Sequence, residues 1–275
     1  MSSVVIFDSG VGGLSIYQAV REKRADLDYV FVSDNQAFPY GSKDEPELIK
    51  RIVSVAEAIV ERYAPQILVV ACNTASTVAL PILRDKYSFP IVGVVPAIKP
   101  ASKQSETRHI AILATPATIE RAYTDNLIIE YASDCDVLKL GSSDLVKLAE
   151  NKLYGEPFEL NAIESIVKPI LDTHSIDVLV LACTHFPLLA DELAAIFAEH
   201  NREIKILDSA QGIANRVHDL CITGLTDCND AYSEASLDSR KTLKVAAFTE
   251  SISQNSVYLT KLEHLGFSDI QTLSI

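Results

Sequence analysis

The 275 residues are 48% apolar and 22% charged, with only 10 Gly and 11 Pro; this composition excludes disorder and fibrous repeats, and the length suffices for two packed domains. Against 37 Asp and Glu stand 24 Lys and Arg, a net charge of −13. That charge repels polyphosphate backbones and anionic bilayers alike, so neither nucleic acid nor a membrane surface is expected as a partner.

The chain opens on the apolar run Val4-Val5-Ile6-Phe7, closed by Asp8, with no basic leader before it. No later run reaches the ~18 apolar residues of a membrane span, so a cytoplasmic protein is expected. Short β-branched runs at 4–7, 29–33, 67–71, 91–95, 109–113, 136–140, 178–182, 204–207, 243–248 and 270–273 predict strands. Helical patterns fill the gaps. Leu48, Ile52, Val55, Ile59 and Tyr63 recur at three-to-four spacing and predict a helix over 46–63, with Pro46 in its first turn. A further helix is expected over 144–153, and Leu160, Ile163, Val167 and Leu171 mark another, with a kink at Pro169. Strands alternating with helices read as βα units around parallel sheets.

The strands also repeat. Ile67-Leu68-Val69-Val70-Ala71-Cys72 matches Val178-Leu179-Val180-Leu181-Ala182-Cys183 at an offset of 111, and Val5–Ser9 answers Ala111–Thr115 at 106. A period above a hundred residues implies a duplicated domain rather than a solenoid. The expected fold is therefore α/β, two similar domains with parallel-sheet cores. The linker is placed near Val95-Pro96-Ala97-Ile98-Lys99-Pro100, and the segment after Asp208 is expected to return to the first half. This gives a discontinuous first domain of residues 1–97 plus 209–275 and a second of 98–208.

Ligands of open α/β sheets collect at the carboxyl ends of the strands, so the residues just past each strand are the candidates. Asp8-Ser9-Gly10-Val11-Gly12-Gly13 matches neither the dinucleotide nor the Walker phosphate loop, and a bare turn would account for its glycines. A bare turn does not account for Asp8, since a carboxylate ending a buried strand is costly without a role. The five cysteines, Cys72, Cys135, Cys183, Cys221 and Cys228, form no CxxC pair, so free thiols are expected and neither disulfides nor zinc. Cys135, Cys221 and Cys228 read as small buried hydrophobes. Cys72 and Cys183 differ, because each ends an apolar strand at the equivalent place of a duplicated half. If the halves face each other across a cleft, two thiols address one ligand from opposite sides. A carbon acid held there can lose a proton to one thiol and regain one from the other, inverting its configuration. Asp8 and His185 are candidate proton partners. Asn73, Thr74, Ser76, Thr115, Thr118 and Thr184 could donate to a small carboxylate, although helix caps would satisfy the same sequence.

Taken in order, Asp8-Ser9-Gly10-Val11-Gly12-Gly13, Pro39-Tyr40-Gly41, Cys72-Asn73-Thr74-Ala75-Ser76, Gly93-Val94-Val95-Pro96-Ala97, Thr115-Pro116-Ala117-Thr118 and Cys183-Thr184-His185-Phe186-Pro187-Leu188 resemble the glutamate racemases. These belong to the cofactor-independent aspartate/glutamate racemase superfamily. The resemblance implies an active site in the interdomain cleft and interconversion of L- and D-glutamate, supplying D-glutamate for peptidoglycan and cell-wall biogenesis. It implies Cys72 and Cys183 as the acid/base thiols, Cys72 acting on the D- and Cys183 on the L-enantiomer, assisted by Asp8 and His185. It further implies Ser9, Tyr40, Gly41, Asn73, Thr74, Thr115, Thr118 and Thr184 as substrate contacts, with Asp34 and Glu150 as accessory polar residues. His185 sets the chain apart from aspartate racemases, which tend to carry Glu there. The alternatives are a racemase of aspartate or another amino acid, one methylene being worth only ~1–3 kcal/mol in a pocket, and a non-catalytic two-lobed binding protein. A homodimer is the commonest closed assembly and is the expected one if the chain associates. No cofactor and no metal is expected, since Cys183 and His185 offer only two ligands. Dialysis against a chelator should therefore leave racemisation at its full rate; an activity lost on chelation and restored by a metal ion would overturn this expectation.

Overall fold

The structure, a computed structural model, describes residues 3–223, 242–252 and 256–275, and Cys228 lies outside the described residues. The chain divides into two compact units, Met1–Val94 with Ala210–Ile275, and Val95–Ser209. The first unit begins β1 (Ser3–Asp8), α1 (Leu14–Lys23), β2 (Asp28–Ser33), α2 (Glu45–Tyr63), β3 (Ile67–Val70), α3 (Asn73–Lys86), β4 (Ile91–Gly93). The second runs α4 (Ile98–Gln104), β5 (His109–Ala114), α5 (Pro116–Ile119), α6 (Ala122–Tyr131), β6 (Asp136–Gly141), α7 (Asp144–Tyr154), α8 (Leu160–Asp172), β7 (Val178–Leu181), α9 (Ala190–Glu199), β8 (Lys205–Leu207). The chain then returns to the first unit as α10 (Ala210–Ile222), β9 (Lys244–Phe248), α11 (Ser256–His264), β10 (Asp269–Thr272).

Among the described residues, the first unit holds a parallel sheet of order β10-β9-β2-β1-β3-β4 and the second one of order β6-β5-β7-β8. The second order repeats the core β2-β1-β3-β4 of the first. The registers repeat too: Val4 to Phe7 pair with Ile67 to Val70, and Ile110 to Leu113 pair with Val178 to Leu181. These are the same offsets of 106 and 111 seen in the sequence repeat.

The inner strands are unbroken apolar runs because both of their faces are covered. In β1, Val5 and Phe7 face an apolar cluster with Leu48, Ile52, Val55 and Ile59 of α2 and Ala75, Ala79 and Leu83 of α3. In β5 and β7, Ile110, Ile112, Val178 and Val180 pack with Ile98 and Ala101 of α4 and with Leu127 and Ile128 of α6. The edge strands β6 and β8 are only half covered and carry Asp136, Lys139 and Lys205, charges that deter pairing with another chain. No helix among the described residues is long and apolar enough to cross a membrane.

Several boundaries differ from the pattern-based expectation by one or two residues. β4 stops at Gly93 rather than at 95; the Val94 N–H still reaches Val70 O and is shared with Ser76 Oγ. Pro169 lies inside α8, which continues to Asp172, and the Thr173 hydroxyl donates to the Pro169 carbonyl at 2.8 Å. Cys221 is fully buried, whereas Cys135 is only half-buried, in the turn before edge strand β6.

Gly93 lets β4 approach α3, since a Cβ there would lie 2.1 Å from Leu80 Cδ1. Gly93→Ala is expected to lower stability by about 1–3 kcal/mol through overpacking. In urea melts, Gly93→Ala combined with Leu80→Ala should lose less than the sum of the two single losses; strict additivity would contradict the clash.

Candidate active site

In the first unit the site grows from two adjacent strand ends. The Ala71 N–H donates to Phe7 O at 2.7 Å, extending the β1–β3 ladder until the chain breaks away at Asp8 on one side and Cys72 on the other. Asp8 is completely buried, and its Oδ1 accepts the Ser9 N–H at 2.6 Å and the Ser9 hydroxyl at 3.2 Å. The same hydroxyl lies 3.6 Å from Cys72 Sγ, so a carboxylate, a hydroxyl and a thiol form one chain. Gly13 is explained by space, because a Cβ there would stand 2.9 Å from Asp8 Cβ and 3.1 Å from Asp8 Oδ2. Cys72 is the residue before α3, and it is buried apart from a 6% exposed edge. Asn73 and Thr74 follow in the first turn of α3, the end of a helix at which positive potential gathers. The Asn73 side-chain nitrogen Nδ2 is buried and makes no hydrogen bond, an unused donor directly beside the thiol. Ser76, in contrast, spends its hydroxyl on Val70 O at 3.0 Å and on the Val94 N–H, a bridge between β3 and β4.

Asp34 follows β2, and its N–H donates to Asp8 O at 2.9 Å. Burial pushes its carboxyl up, but hydrogen bonds from Arg51, Tyr40 and Thr249 and the Arg51 charge outweigh this and hold it below the usual carboxylate range. Tyr40 begins the short turn Tyr40–Ser42, which carries Gly41, and it donates its hydroxyl proton to Asp34 Oδ2 at 2.6 Å. Burial first, then the Asp34 charge and that hydrogen bond, keep the phenol neutral far above its ordinary range. Arg51 and Thr249 were invisible to sequence reasoning: one is a half-buried arginine within a long helix and the other lies 215 residues from its partner, and no local pattern marks either.

The second unit repeats the scaffold with other side chains. The Ala182 N–H donates to Leu113 O at 2.8 Å, the counterpart of Ala71 to Phe7, and releases Cys183 beside Thr115. Asp8 has Ala114 as its counterpart here, and the polar group comes from the other strand end. Cys183 Sγ lies 3.9 Å from His185 Nδ1, and His185 Nε2 lies 2.7 Å from Glu150 Oε1 on α7. All three are buried. Burial pulls the imidazole down, but its hydrogen bonds to Cys183 and Glu150 and the charges of both groups raise its pKa well above the ordinary histidine value. Lys152, two residues along α7 from Glu150, donates to Leu188 O at 2.7 Å and pairs with Glu192, tying that helix to the segment after His185. Thr115 caps α5 by accepting the Thr118 N–H, and the two hydroxyls lie 3.0 Å apart. Thr184 is buried beside Cys183.

Each unit thus gathers its own share of the predicted residues: Asp8, Ser9, Asp34, Tyr40, Cys72 and Asn73 in one, Thr115, Thr118, Glu150, Cys183 and His185 in the other. Among the described residues no three His, Cys, Asp or Glu side chains are placed to hold a metal ion. What each cluster can do chemically is move a proton at sulfur.

Comparison with known proteins places the chain among racemases. Residues 14–217 match the family described as Asp/Glu/Hydantoin racemase. The chain is 47% identical over 215 residues to a glutamate racemase of Pectobacterium atrosepticum, covering 78% of this chain and 74% of that one. It is 46% identical over 239 residues to a glutamate racemase of Salmonella gallinarum, covering 85% and 83%. Among solved structures it is similar to Escherichia coli glutamate racemase in complex with L-glutamate and the activator UDP-MurNAc-Ala, with a TM-score of 0.88 and 40% identity over 99% of this chain and 98% of that one. The glutamate racemase isoform RacE1 of Bacillus anthracis gives 0.80 and 25% over 100% and 97%.

The geometry around His185 generates a titration test. The raised imidazole contributes stability that is complete below the ordinary histidine pKa and is lost as pH rises through the higher folded value. Glu150→Gln removes the carboxylate, so NMR titration should show the His185 pKa falling and the alkaline loss of stability moving to lower pH. An unchanged His185 titration in that variant would show that Glu150 does not set it.

Proposed function

The chain belongs to the Asp/Glu/Hydantoin racemase family, and from that premise we propose that it interconverts L- and D-glutamate by proton transfer between two thiols and the α carbon. The observation that carries this reading is the recurrence of a buried cysteine at the end of the third strand of each sheet, each sulfur with its own polar relay. The similarity to glutamate racemases over more than three quarters of the chain supports glutamate as the substrate.

The two relays suit different halves of one inversion. On the Cys183 side, the imidazolium form of His185, held by Glu150, stabilises a thiolate in the manner of a cysteine–histidine ion pair. That thiolate takes the α proton of L-glutamate and becomes a thiol. Cys72 begins as a thiol, delivers its proton to the opposite face of the α carbon and is left as a thiolate. D-glutamate departs, and the reverse reaction or proton exchange with water resets the pair. Ser9, its hydroxyl proton directed to Asp8, is placed to accept a hydrogen bond from the Cys72 thiol. The unused Asn73 amide donates to a substrate carboxylate together with the N–H groups that open α3. In the second unit Thr115, Thr118 and Thr184 serve the other end of the substrate. The Tyr40 hydroxyl, its proton committed to Asp34, accepts from the substrate ammonium, with Gly41 and Thr74 completing the wall. The reaction so written uses no cofactor, and its product is the D-glutamate of peptidoglycan synthesis, a cytoplasmic task.

Racemisation of both glutamate and aspartate, and exchange of the α proton with deuterated water, test the reading directly. Cys72→Ser and Cys183→Ser should each lower racemisation by about two to four orders of magnitude, the range of a positioned acid/base group. Exchange from L-glutamate should depend more on Cys183 and exchange from D-glutamate more on Cys72. Exchange undiminished in both variants would falsify the two-thiol reaction, and faster turnover of aspartate would replace the substrate.

A further inference from the structure

We infer that Thr249 and Arg51 are positioning residues for this reaction, acting through the Asp34 carboxylate to hold Tyr40 and the Tyr40–Ser42 turn beside Cys72. The inference rests on the glutamate racemase reading above and assigns to the returning C-terminal segment a direct part in building the site.

Asp34 has four close donors and no exposure. Its Oδ2 accepts the Tyr40 hydroxyl at 2.6 Å and Arg51 Nε at 2.9 Å, while Oδ1 accepts Arg51 Nη2 at 2.6 Å and the Thr249 hydroxyl at 2.7 Å. A carboxylate offers about four acceptor sites, so Asp34 is saturated by protein donors. It has no lone pair left for a substrate and, with its pKa held down, no proton to give. Its effect on the reaction therefore passes through what it holds.

What it holds comes from three distant parts of the chain. Arg51 reaches in from α2 as a two-pronged donor, a geometry that fixes the rotation of the carboxylate, and its Nη2 also donates to Gln36 Oε1 at 2.9 Å. Thr249 stands just past β9, where its N–H donates to Ser33 O at 3.1 Å. Its hydroxyl oxygen accepts the Gln36 N–H at 3.2 Å, and its single proton goes to Asp34 at 2.7 Å, closer than the other acceptor within reach, Asn35 Oδ1 at 3.4 Å. The neighbouring Asn35 amide exchanges two hydrogen bonds with the Glu250 backbone, pinning the end of β9 to the loop after β2. Tyr40 sits on a short turn and not on a strand or long helix, so its placement depends on tertiary contacts. Its ring meets Phe7 edge-on at a centroid distance of 6.4 Å, and it shares an apolar cluster with Cys72 and Ala75. Its hydroxyl is fixed only through Asp34. Removing the Thr249 hydroxyl leaves Oδ1 and the Gln36 N–H each short of a partner, so the carboxylate swings toward Arg51 and the Tyr40 turn loosens.

Such loosening weakens substrate binding more than the chemistry at sulfur, which distinguishes it from simple destabilisation. Thr249→Val is expected to raise KM for glutamate about tenfold in both directions with kcat changed less than about twofold, the signature of lost uniform binding. Thr249→Ser, which keeps the hydroxyl, should restore the wild-type KM. Arg51→Lys, which keeps the charge but not the two-pronged contact, should raise KM similarly, and it serves alone if Thr249→Val does not fold. The double variant should cost less than the product of the two single effects, because both act on one carboxylate. An unchanged KM with a lower kcat in both variants, as a smaller folded fraction would give, overturns the inference, as does a Thr249→Ser variant no better than Thr249→Val. A wild-type protein that does not racemise glutamate would defeat the functional reading itself, a result distinguishable from wild-type activity with unmoved variants.

Discussion

The structure depends on the parallel pairing of the first and third strands within each sheet, β1 with β3 and β5 with β7. Parallel strands deliver their carboxyl ends to the same edge, and a register that matches Phe7 with Val70 and Leu113 with Leu181 makes those ends finish level. The residues one or two positions further on, Asp8 and Cys72 in one unit and Thr115 and Cys183 in the other, then come to the same sheet edge without any further folding event. The apolar strands supply the burial that stabilises each sheet, so the polar groups can be confined to one edge, where loop N–H groups and helix starts satisfy them.

On that shared scaffold the two units have opposite electrostatic solutions for a cysteine. Cys72 is linked through Ser9 to a carboxylate on the adjacent strand end, whereas Cys183 faces an imidazole whose far nitrogen is held by Glu150. The proposed inversion needs one sulfur charged and the other protonated at every moment. Two identical surroundings would leave that division to chance, whereas here a hydroxyl backed by a carboxylate stands at Cys72 and an imidazole backed by a carboxylate stands at Cys183. Duplication supplied the matching positions, and divergence at Asp8 against Ala114 and at Thr74 against His185 separated their chemistry.

The part of the first unit without a counterpart in the second is the returning segment. β9 and β10 extend the sheet beyond β2, which converts β2 from an edge into an inner strand and seals Asp34 from water. An acid ionised in that environment must be fully hydrogen-bonded, and the four donors around it come from α2, the Tyr40 turn and the end of β9. Burial and saturation together make Asp34 a rigid junction and remove it as a source of protons.

By itself the sequence determined the α/β class, the duplicated strands and the strand-end cysteines, because these are written in short-range patterns: apolar runs of period-independent burial, helical spacing such as Leu48 to Ile59, and a repeat offset that survives as ladder register. Asp8 was legible because a charge terminating an apolar run is anomalous within five residues. Only the tertiary structure decided that Asp34 is held by Arg51 and Thr249, that Ser76 braces two strands, and that Gly13 is small to make room for Asp8. Each of these is a contact between segments that the chain brings together only on folding. Hydrogen-bond direction and steric clearance depend on distances of a few tenths of an ångström in three dimensions, a quantity that residue order does not carry.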